Sequence, residues 1–320
     1  MVQFSVIIPV YNGEKYITTT INNLLNQTFD NFEIILINDG SSDNTLEKLM
    51  SFENNNKIKI VNYQDNKGVS FARNVGIKNA IGKFLLFLDS DDYLEINCLT
   101  DLNEILKDET IDMISFGFVK SNSNLIINYS NKKFDKKYFT NDQFLYNYFT
   151  RNIIQCMCSF VCKREIIVNN KILFSEDVYF AEDQEFQIRC NFYSQKIYYI
   201  SSILFKYNLQ ETSVMNSKFS LKRLTVLKAF TNLKMLFDNN SNLYMLYVNY
   251  FYFNYYGLIK FIVNNENDFE LLKQDEKLKV FKNSFRPFLL INKLSVIVNT
   301  LYILEKFSPS ILKKVLKKSF

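Results

Sequence analysis

The chain has 320 residues, 48% of them hydrophobic and 22% charged, with a formal net charge of +5. This is the composition of a folded chain long enough for two units, or for one domain with an appendage. Histidine and tryptophan are absent, which excludes a Ser-His-Asp triad, a histidine base and a histidine metal ligand, and leaves acid–base work to Asp, Glu, Lys, Tyr or Cys.

Met1-Val2-Gln3-Phe4 leads straight into a strand pattern, and no signal peptide is expected. Residues 4–10 read as a buried strand that Pro9 ends, followed by the turn Tyr11-Asn12-Gly13. Ile17, Ile21, Leu24 and Leu25 then recur at helical spacing. A second strand over 32–37 stops at Asn38-Asp39-Gly40, and residues 41–45 offer N-caps for a short helix. A third strand over 58–61 leads through Asn66-Lys67-Gly68 to a helix with a face of small residues, Ala72, Gly76 and Ala80. The run Phe84-Leu85-Leu86-Phe87-Leu88 suits a strand buried on both faces of a parallel sheet. It ends in Asp89, Asp91 and Asp92.

Strands alternating with helices over short connections predict a doubly wound α/β fold, whose ligands bind beyond the carboxyl ends of the strands. Carboxylates clustered there would hold Mg²⁺ or Mn²⁺, and the metal a diphosphate. A solvated acidic turn capping the next helix is the alternative. Five of the seven glycines, Gly13, Gly40, Gly68, Gly76 and Gly82, lie in the first 82 residues; glycines after strand ends permit φ > 0 and close approach of backbone to a ligand. The pattern is neither GxGxxG nor a P-loop.

Ser5-Val6-Ile7-Ile8-Pro9-Val10-Tyr11-Asn12, Asn38-Asp39-Gly40-Ser41-Ser42-Asp43-Asn44-Thr45, Asn66-Lys67-Gly68-Val69-Ser70-Phe71-Ala72-Arg73-Asn74-Val75-Gly76 and Asp89-Ser90-Asp91-Asp92 resemble, in that order, the family-2 glycosyltransferases. The resemblance implies a GT-A-like nucleotide-binding sandwich with a mainly parallel sheet, plus a C-terminal helical region. It implies a donor site of Pro9, Val10 and Tyr11 along the nucleoside, Glu14 near the ribose, and Asp39 accepting from the uracil N3–H. Asn66 would line the same pocket, and Arg73 would approach the pyrophosphate or hold an acid of the metal motif. From Asp89-Ser90-Asp91, Asp89 would bind the ribose hydroxyls and Asp91 would ligate Mn²⁺ or Mg²⁺ with Asp89 beside it. An acceptor-only carboxylate suits an imide N–H, and a guanidinium suits acids and phosphate. Taken singly, Asp39 also reads as a turn residue and Arg73 as a surface helix residue.

Beyond residue 95, Leu99, Leu102, Ile105 and Leu106 form a helix face and residues 111–119 a strand, with a polar loop or hairpin over 121–137 that could border an acceptor. Five cysteines, among them Cys156, Cys158 and Cys162, have no zinc-site spacing and are expected to be reduced thiols of a cytosolic protein. Glu182 and Asp183 stand at the head of a helix continued by Phe186, Cys190 and Tyr193. By themselves they are first-turn acids favoured by the helix dipole. The resemblance makes Asp183 the catalytic base and Glu182 a supporting or acceptor-contacting residue; Glu176-Asp177 is a nearby decoy pair, less well placed before a helix. Residues 207–214 resemble the family's closing segment but lack its basic residues.

From about Lys218 the pattern is helical. Residues 244–263 are rich in Tyr and Phe and predict a packed aromatic core, and residues 288–304 are short and too interrupted for a span. After Ser308 and Pro309, Ile311, Leu312, Val315 and Leu316 oppose Lys313, Lys314, Lys317 and Lys318. This basic amphipathic segment, 306–320, suits either an anionic membrane surface or packing on the protein itself. Three parts are expected: 1–115 for the nucleotide sugar, 116–216 for the acceptor and the catalytic Asp, and 217–320 helical. The resemblance implies inverting, metal-dependent transfer from a UDP-sugar to a hydroxyl of a glycan or glycolipid acceptor. The expected setting is bacterial capsule, lipooligosaccharide or other polysaccharide synthesis, in the cytoplasm or peripheral on the inner face of its membrane. No nucleic-acid partner is expected. Rival readings are a sugar-phosphate nucleotidyltransferase, which would need a basic Gly-rich loop after the first strand, and a nucleotide-sugar-binding scaffold without turnover.

Overall fold

A computed structural model describes residues 1–122, 125–209, 221–237, 241–265, 293–308, 311–312 and 315–316. The first third alternates β1 (Phe4–Val10), α1 (Ile17–Leu25), β2 (Phe32–Asp39), α2 (Thr45–Met50), β3 (Ile58–Tyr63), α3 (Val69–Asn79) and β4 (Phe84–Phe87). The four strands lie in the order β3-β2-β1-β4, all parallel, with Phe4 opposite Phe32 and Phe84. Ile7, Ile8, Ile35 and Leu86 are fully buried, as unbroken apolar strands covered on both faces must be. The close seat of α3 on β1 follows from Gly76, where a Cβ would stand 2.2 Å from Ile7 Cγ2.

Two connections from β1 run outward to β2 and β3, and the next returns to β4 on the other side. The carboxyl ends of β1 and β4 therefore flank the topological switch point, the place where an open α/β sheet binds its ligand.

The chain continues through β5 (Tyr93–Leu94), α4 (Cys98–Ile105), β6 (Met113–Ser121), β7 (Ile126–Asn128), β8 (Lys137–Phe139), α5 (Asn141–Phe149), β9 (Phe160–Lys163), α6 (Arg164–Asn169), α7 (Glu182–Tyr193) and β10 (Ile197–Asn208). β9 pairs antiparallel with both β4 and β6, and β6 pairs parallel with β10, so the same sheet continues to Asn208. Of the loop or hairpin expected over 121–137, the first part is a strand, β7, paired antiparallel with β6, Val119 opposite Asn128. All five cysteines are free.

Two compact units result, one of Met1–Phe144, Ile154–Glu176 and Glu182–Glu211, the other of Leu145–Ile153, Asp177–Ala181 and Thr212–Phe320. The described part of the second holds α8 (Thr225–Leu233), α9 (Ser241–Asn265) and α10 (Lys293–Phe307). Its core is aromatic, as expected. Phe149, Phe230, Phe237, Tyr247, Phe251 and Tyr255 are buried, with Phe237 stacked on Tyr247 at 4.9 Å and Phe230 edge-on to Phe251 at 5.3 Å. Glu305 accepts from Tyr255 and Tyr256, each at 2.9 Å, pinning α10 to α9. Among the described residues no helix is long and apolar enough to cross a membrane. Lys313, Lys314, Lys317 and Lys318 of the expected basic face lie outside the described residues.

Candidate active site

At the switch point, the loops after β1 and β2 are laced together. Asn12 N–H donates to Ser41 Oγ (2.9 Å), Gly13 N–H to Thr45 Oγ1 (2.8 Å), Glu14 N–H to Asp43 Oδ2 (3.2 Å), and Asn44 N–H to Glu14 Oε2 (2.8 Å). Burial works against the Asp43 carboxylate, but its bonds from Thr45 and Glu14 outweigh that and hold its pKa below the ordinary value. Asp43 and Thr45 escaped the sequence reading as anything but helix caps. Val10 is buried beneath this loop, while Tyr11 is 53% exposed.

Asp39, only 2% exposed, clamps the next loop. Its Oδ1 accepts from Lys67 N–H (2.9 Å) and its Oδ2 from Gly68 N–H (2.7 Å), while Asn66 Nδ2 donates to the Asp39 carbonyl (3.1 Å). Gly68, at φ +97°, turns this loop into α3 in a conformation that favours glycine. Both Asp39 oxygens thus already serve the backbone, and a base N–H would take a remaining lone pair.

One turn into α3, Arg73 is buried against the ring of Phe174, 5.3 Å from its centroid. Its Nη2 donates to Asp89 Oδ1 (2.9 Å) and its Nη1 to Glu182 Oε1 (3.4 Å). Beyond β4, Asp92 N–H closes a turn onto the Asp89 carbonyl (3.1 Å). Asp92 is swung inward, and its Oδ1 accepts from Asn208 N–H (2.9 Å). The Ser90 carbonyl accepts from Thr20 Oγ1 (2.9 Å). Ligand atoms of Asp89, Asp92 and Cys158 lie within 4.8 Å of one another. In the sequence Asp92 is one of the acids clustered after the fourth strand, with no role of its own, and nothing local points to Cys158.

Burial and the Asp89 charge push Asp91 up to about 6 and Asp92 up to about 9. Burial raises the Cys158 thiol far above its usual range, so it stays protonated and soft, a poor ligand for Mg²⁺ or Mn²⁺. Arg73 pairs with Asp89, and Asp92 Oδ2 is buried with no hydrogen-bond partner. Hard oxygen donors of this kind, with Asp91 and Asp92 raised by burial and crowding, fit a divalent cation, which would displace their protons.

Glu182 and Asp183 open α7, as expected, and Asp183 Oδ1 accepts from Gln184 N–H (2.7 Å). Burial and the neighbouring Asp183 charge lift Glu182 to about 7 against the pull of Arg73; burial likewise raises Asp183, again opposed by Arg73. Phe186, on the same helix, stacks on Phe174 with centroids 4.0 Å apart, fixing α7 against the wall behind Arg73. The decoy pair is engaged elsewhere, Glu176 accepting from Asn74 Nδ2 (3.0 Å) and Asp177 pairing with Lys228. Residues 210–214 of the closing segment lie outside the described residues.

A profile of glycosyl transferase family 2 matches residues 5–167. The chain is 38% identical over 117 residues to the Staphylococcus aureus poly(ribitol-phosphate) beta-N-acetylglucosaminyltransferase TarS, covering 36% of this chain and 20% of that protein. To the Streptococcus pneumoniae glycosyltransferase GlyG it is 33% identical over 111 residues, 34% of this chain and 37% of that one. It therefore spans about a fifth and somewhat over a third of these two relatives. The structure of S. aureus TarS 1-349 with UDP-GlcNAc superposes with a TM-score of 0.60 at 23% identity, over 78% of this chain and 80% of that one. The Pyrobaculum calidifontis mannosyltransferase PcManGT, with GDP-Man and Mn²⁺, superposes at 0.56 and 13% identity over 98% and 84%. These likenesses show the GT-A fold. With the family profile covering more than half of its residues, the chain belongs to glycosyl transferase family 2.

Proposed function

We propose that the chain is an inverting, divalent-metal-dependent transferase that moves a sugar from a UDP-sugar to a hydroxyl of a glycan or glycolipid acceptor. The observation that carries this reading is the bridge made by Arg73, which joins the acids at the end of β4 to the acids at the head of α7. A donor pyrophosphate and an acceptor hydroxyl need such neighbouring but distinct anionic groups. The UDP-GlcNAc complex of TarS supports a UDP-sugar as donor.

In this reading Tyr11 stacks on the base, the Asp39-clamped loop at Lys67 and Gly68 shapes the nucleoside pocket, and Pro9, Val10 and Glu14 complete it. Asp89 and Asp91 hold Mn²⁺ or Mg²⁺, with Asp92 close by. When bound, the metal offsets charge developing on the departing diphosphate. Arg73 keeps Asp89 oriented and adds positive charge where the pyrophosphate lies. Asp183 takes the proton of the acceptor hydroxyl, whose oxygen bonds to the anomeric carbon as the bond to the diphosphate oxygen breaks. One displacement inverts that carbon. Glu182, held by Arg73, supports the acceptor side.

The setting that fits is bacterial surface-glycan synthesis on the inner face of the membrane. The five lysines of the last fifteen residues support it, as do the exposed Val296, Ile303 and Ile311. The reaction is tested by following UDP release across UDP-sugars in Mn²⁺, with and without glycan acceptors. No release from any nucleotide sugar sinks the reading. For the setting, removal of residues 306–320 should abolish sedimentation with anionic vesicles.

A further inference from the structure

We infer that Asn74 is a positioning residue: its side-chain amide seats Phe174, and the Phe174 ring sets how far the acids of α7 stand from Arg73. The inference rests on the reading of Asp183 as the base and of Arg73 as the bridge.

Phe174 lies in a stretch, 172–175, with no helix or strand, so no ladder holds its backbone. Asn74, 3% exposed and 100 positions earlier, takes that part. Its Oδ1 accepts from Phe174 N–H (2.8 Å), and its Nδ2 donates to the Phe174 carbonyl (2.9 Å). A residue on a neighbouring antiparallel strand would exchange the same two bonds. The second Nδ2 hydrogen goes to Glu176 Oε1 (3.0 Å), so both donors of the amide are used.

The ring held in this way is shared by both groups of acids. Arg73, beside Asn74 on α3, lies with its Cζ 5.3 Å from the ring centroid. Phe186 of α7 stacks on the other ring, centroids 4.0 Å apart and planes within 4° of parallel. Phe87, the last residue of β4, stands edge-on to both rings, at 5.4 Å from Phe174 and 5.3 Å from Phe186. Ser175 Oγ adds a bond to Glu185 Oε1 of α7 (3.1 Å). All of these groups belong to the first unit. Since β4 leads to Asp89 and α7 begins with Glu182, the gap that the guanidinium spans is referred to one ring. Apolar contact is non-directional and lets stacked rings slide; the bonds of the amide fix where this one lies. A catalytic carboxylate is sensitive to such placement, because a shift of about 1 Å can cost about a hundredfold in rate.

Asn74→Asp keeps the shape and the acceptor but loses both donations. In UDP release from UDP-N-acetylglucosamine with Mn²⁺, it should lower kcat about tenfold or more, with UDP affinity within about twofold of wild type. Ile77→Ala truncates a buried side chain of the same helix and breaks none of these bonds. It should keep kcat within about twofold of wild type, however far it lowers the melting temperature. In Phe174→Leu, which removes the ring, Asn74→Asp should cost less than about twofold more, because the two act through one contact. Hydrogen exchange reads the same geometry without turnover: the amides of Phe186 and Gln187 should exchange faster in Asn74→Asp, while Lys67 and Gly68 keep their protection. Wild-type kcat and exchange in Asn74→Asp overturn the inference. So do an equal kcat loss in Ile77→Ala, a parallel loss of UDP affinity, or a full additional loss on top of Phe174→Leu. Should Asn74→Asp not fold, the same readings are taken from Asn74→Ala, smaller and uncharged. If wild type releases no UDP from this donor, exchange alone decides. Asp183→Asn separates the two readings. Transfer that survives it removes the base, whereas transfer lost there but kept in Asn74→Asp removes the positioning role alone.

Discussion

Arg73 and Glu182 are 109 positions apart in the chain and 3.4 Å apart in space. The same guanidinium reaches Asp89 at 2.9 Å, so one side chain spans two carboxylates that the fold brings in from opposite halves. Lysine carries the charge, but its compact ammonium lacks the planar fork that reaches two carboxylates from separate nitrogens. Arg73→Lys should therefore lower kcat/KM about a hundredfold, and the loss of a buried charge-assisted bond should cost about 1.5–3 kcal/mol of stability. Steady-state kinetics and thermal unfolding of one variant check both. Wild-type turnover in Arg73→Lys would show that the bridge has no part in the reaction.

Asp183→Asn is nearly isosteric and keeps an oxygen for Gln184 N–H, but an amide cannot take a proton. General-base catalysis supplies about 10²- to 10⁴-fold, so kcat should fall by about three orders of magnitude. UDP affinity, set by groups on the other side of Arg73, should stay within about twofold. Calorimetry with UDP beside a turnover assay separates the two. Equal losses in both would make Asp183 a structural residue.

Much of this was readable along the chain. β1 was expected over residues 4–10 and runs Phe4–Val10, and β4 was expected over 84–88 and runs Phe84–Phe87 with Leu88 still buried. Apolar runs closed by turn residues are local signals, and short parallel connections leave few topologies open. The wedging of β9 between β4 and β6 was not readable, because Phe160-Val161-Cys162-Lys163 is short and its partners are distant. The candidate site divides the same way. Acids and the arginine of its motifs could be named, but not Cys158, and not which groups each would meet. Which acid of Asp89-Ser90-Asp91-Asp92 turns inward is decided by the turn onto the Asp89 carbonyl and by Asn208 N–H, 116 positions away. That Asp39 spends both oxygens on the Lys67–Gly68 backbone is likewise a matter of tertiary geometry.

The crowded acids make a prediction about pH. Burial and mutual repulsion raise Asp91 to about 6, Glu182 to about 7 and Asp92 to about 9. A carboxyl raised above its unfolded value binds its proton more tightly in the folded state. It thus favours folding at low pH, and the advantage is lost as pH climbs through the folded pKa. In chelator, the melting temperature should decline from about pH 5 to about pH 8, and Asp92→Asn should flatten that slope. Added Mn²⁺ should raise the melting temperature, and more so at the higher pH, since only deprotonated carboxylates bind it. A melting temperature that climbs steadily over this range in chelator, and is indifferent to Mn²⁺, contradicts the metal reading.

Gly76 offers a test of how the sheet positions the site. Replacing a mid-helix glycine with alanine ordinarily gains up to about 1 kcal/mol in helix propensity. Here the new Cβ would lie 2.2 Å from Ile7 Cγ2 and 3.2 Å from Ile37 Cδ1, so either β1 or α3 must shift. Overpacking of that kind costs about 1–3 kcal/mol, which outweighs the propensity gain. Gly76→Ala should therefore destabilise the protein, and it should also weaken UDP binding, because α3 carries Gly68 at one end and Arg73 in its middle. Ile7→Ala removes the clashing Cγ2. Introduced into Gly76→Ala it should cost less than in wild type, by about 1 kcal/mol or more in a double-mutant cycle. Additive losses in denaturant unfolding would mean that α3 has room to move off β1, and that its close seat is not what sets Arg73 between the two groups of acids.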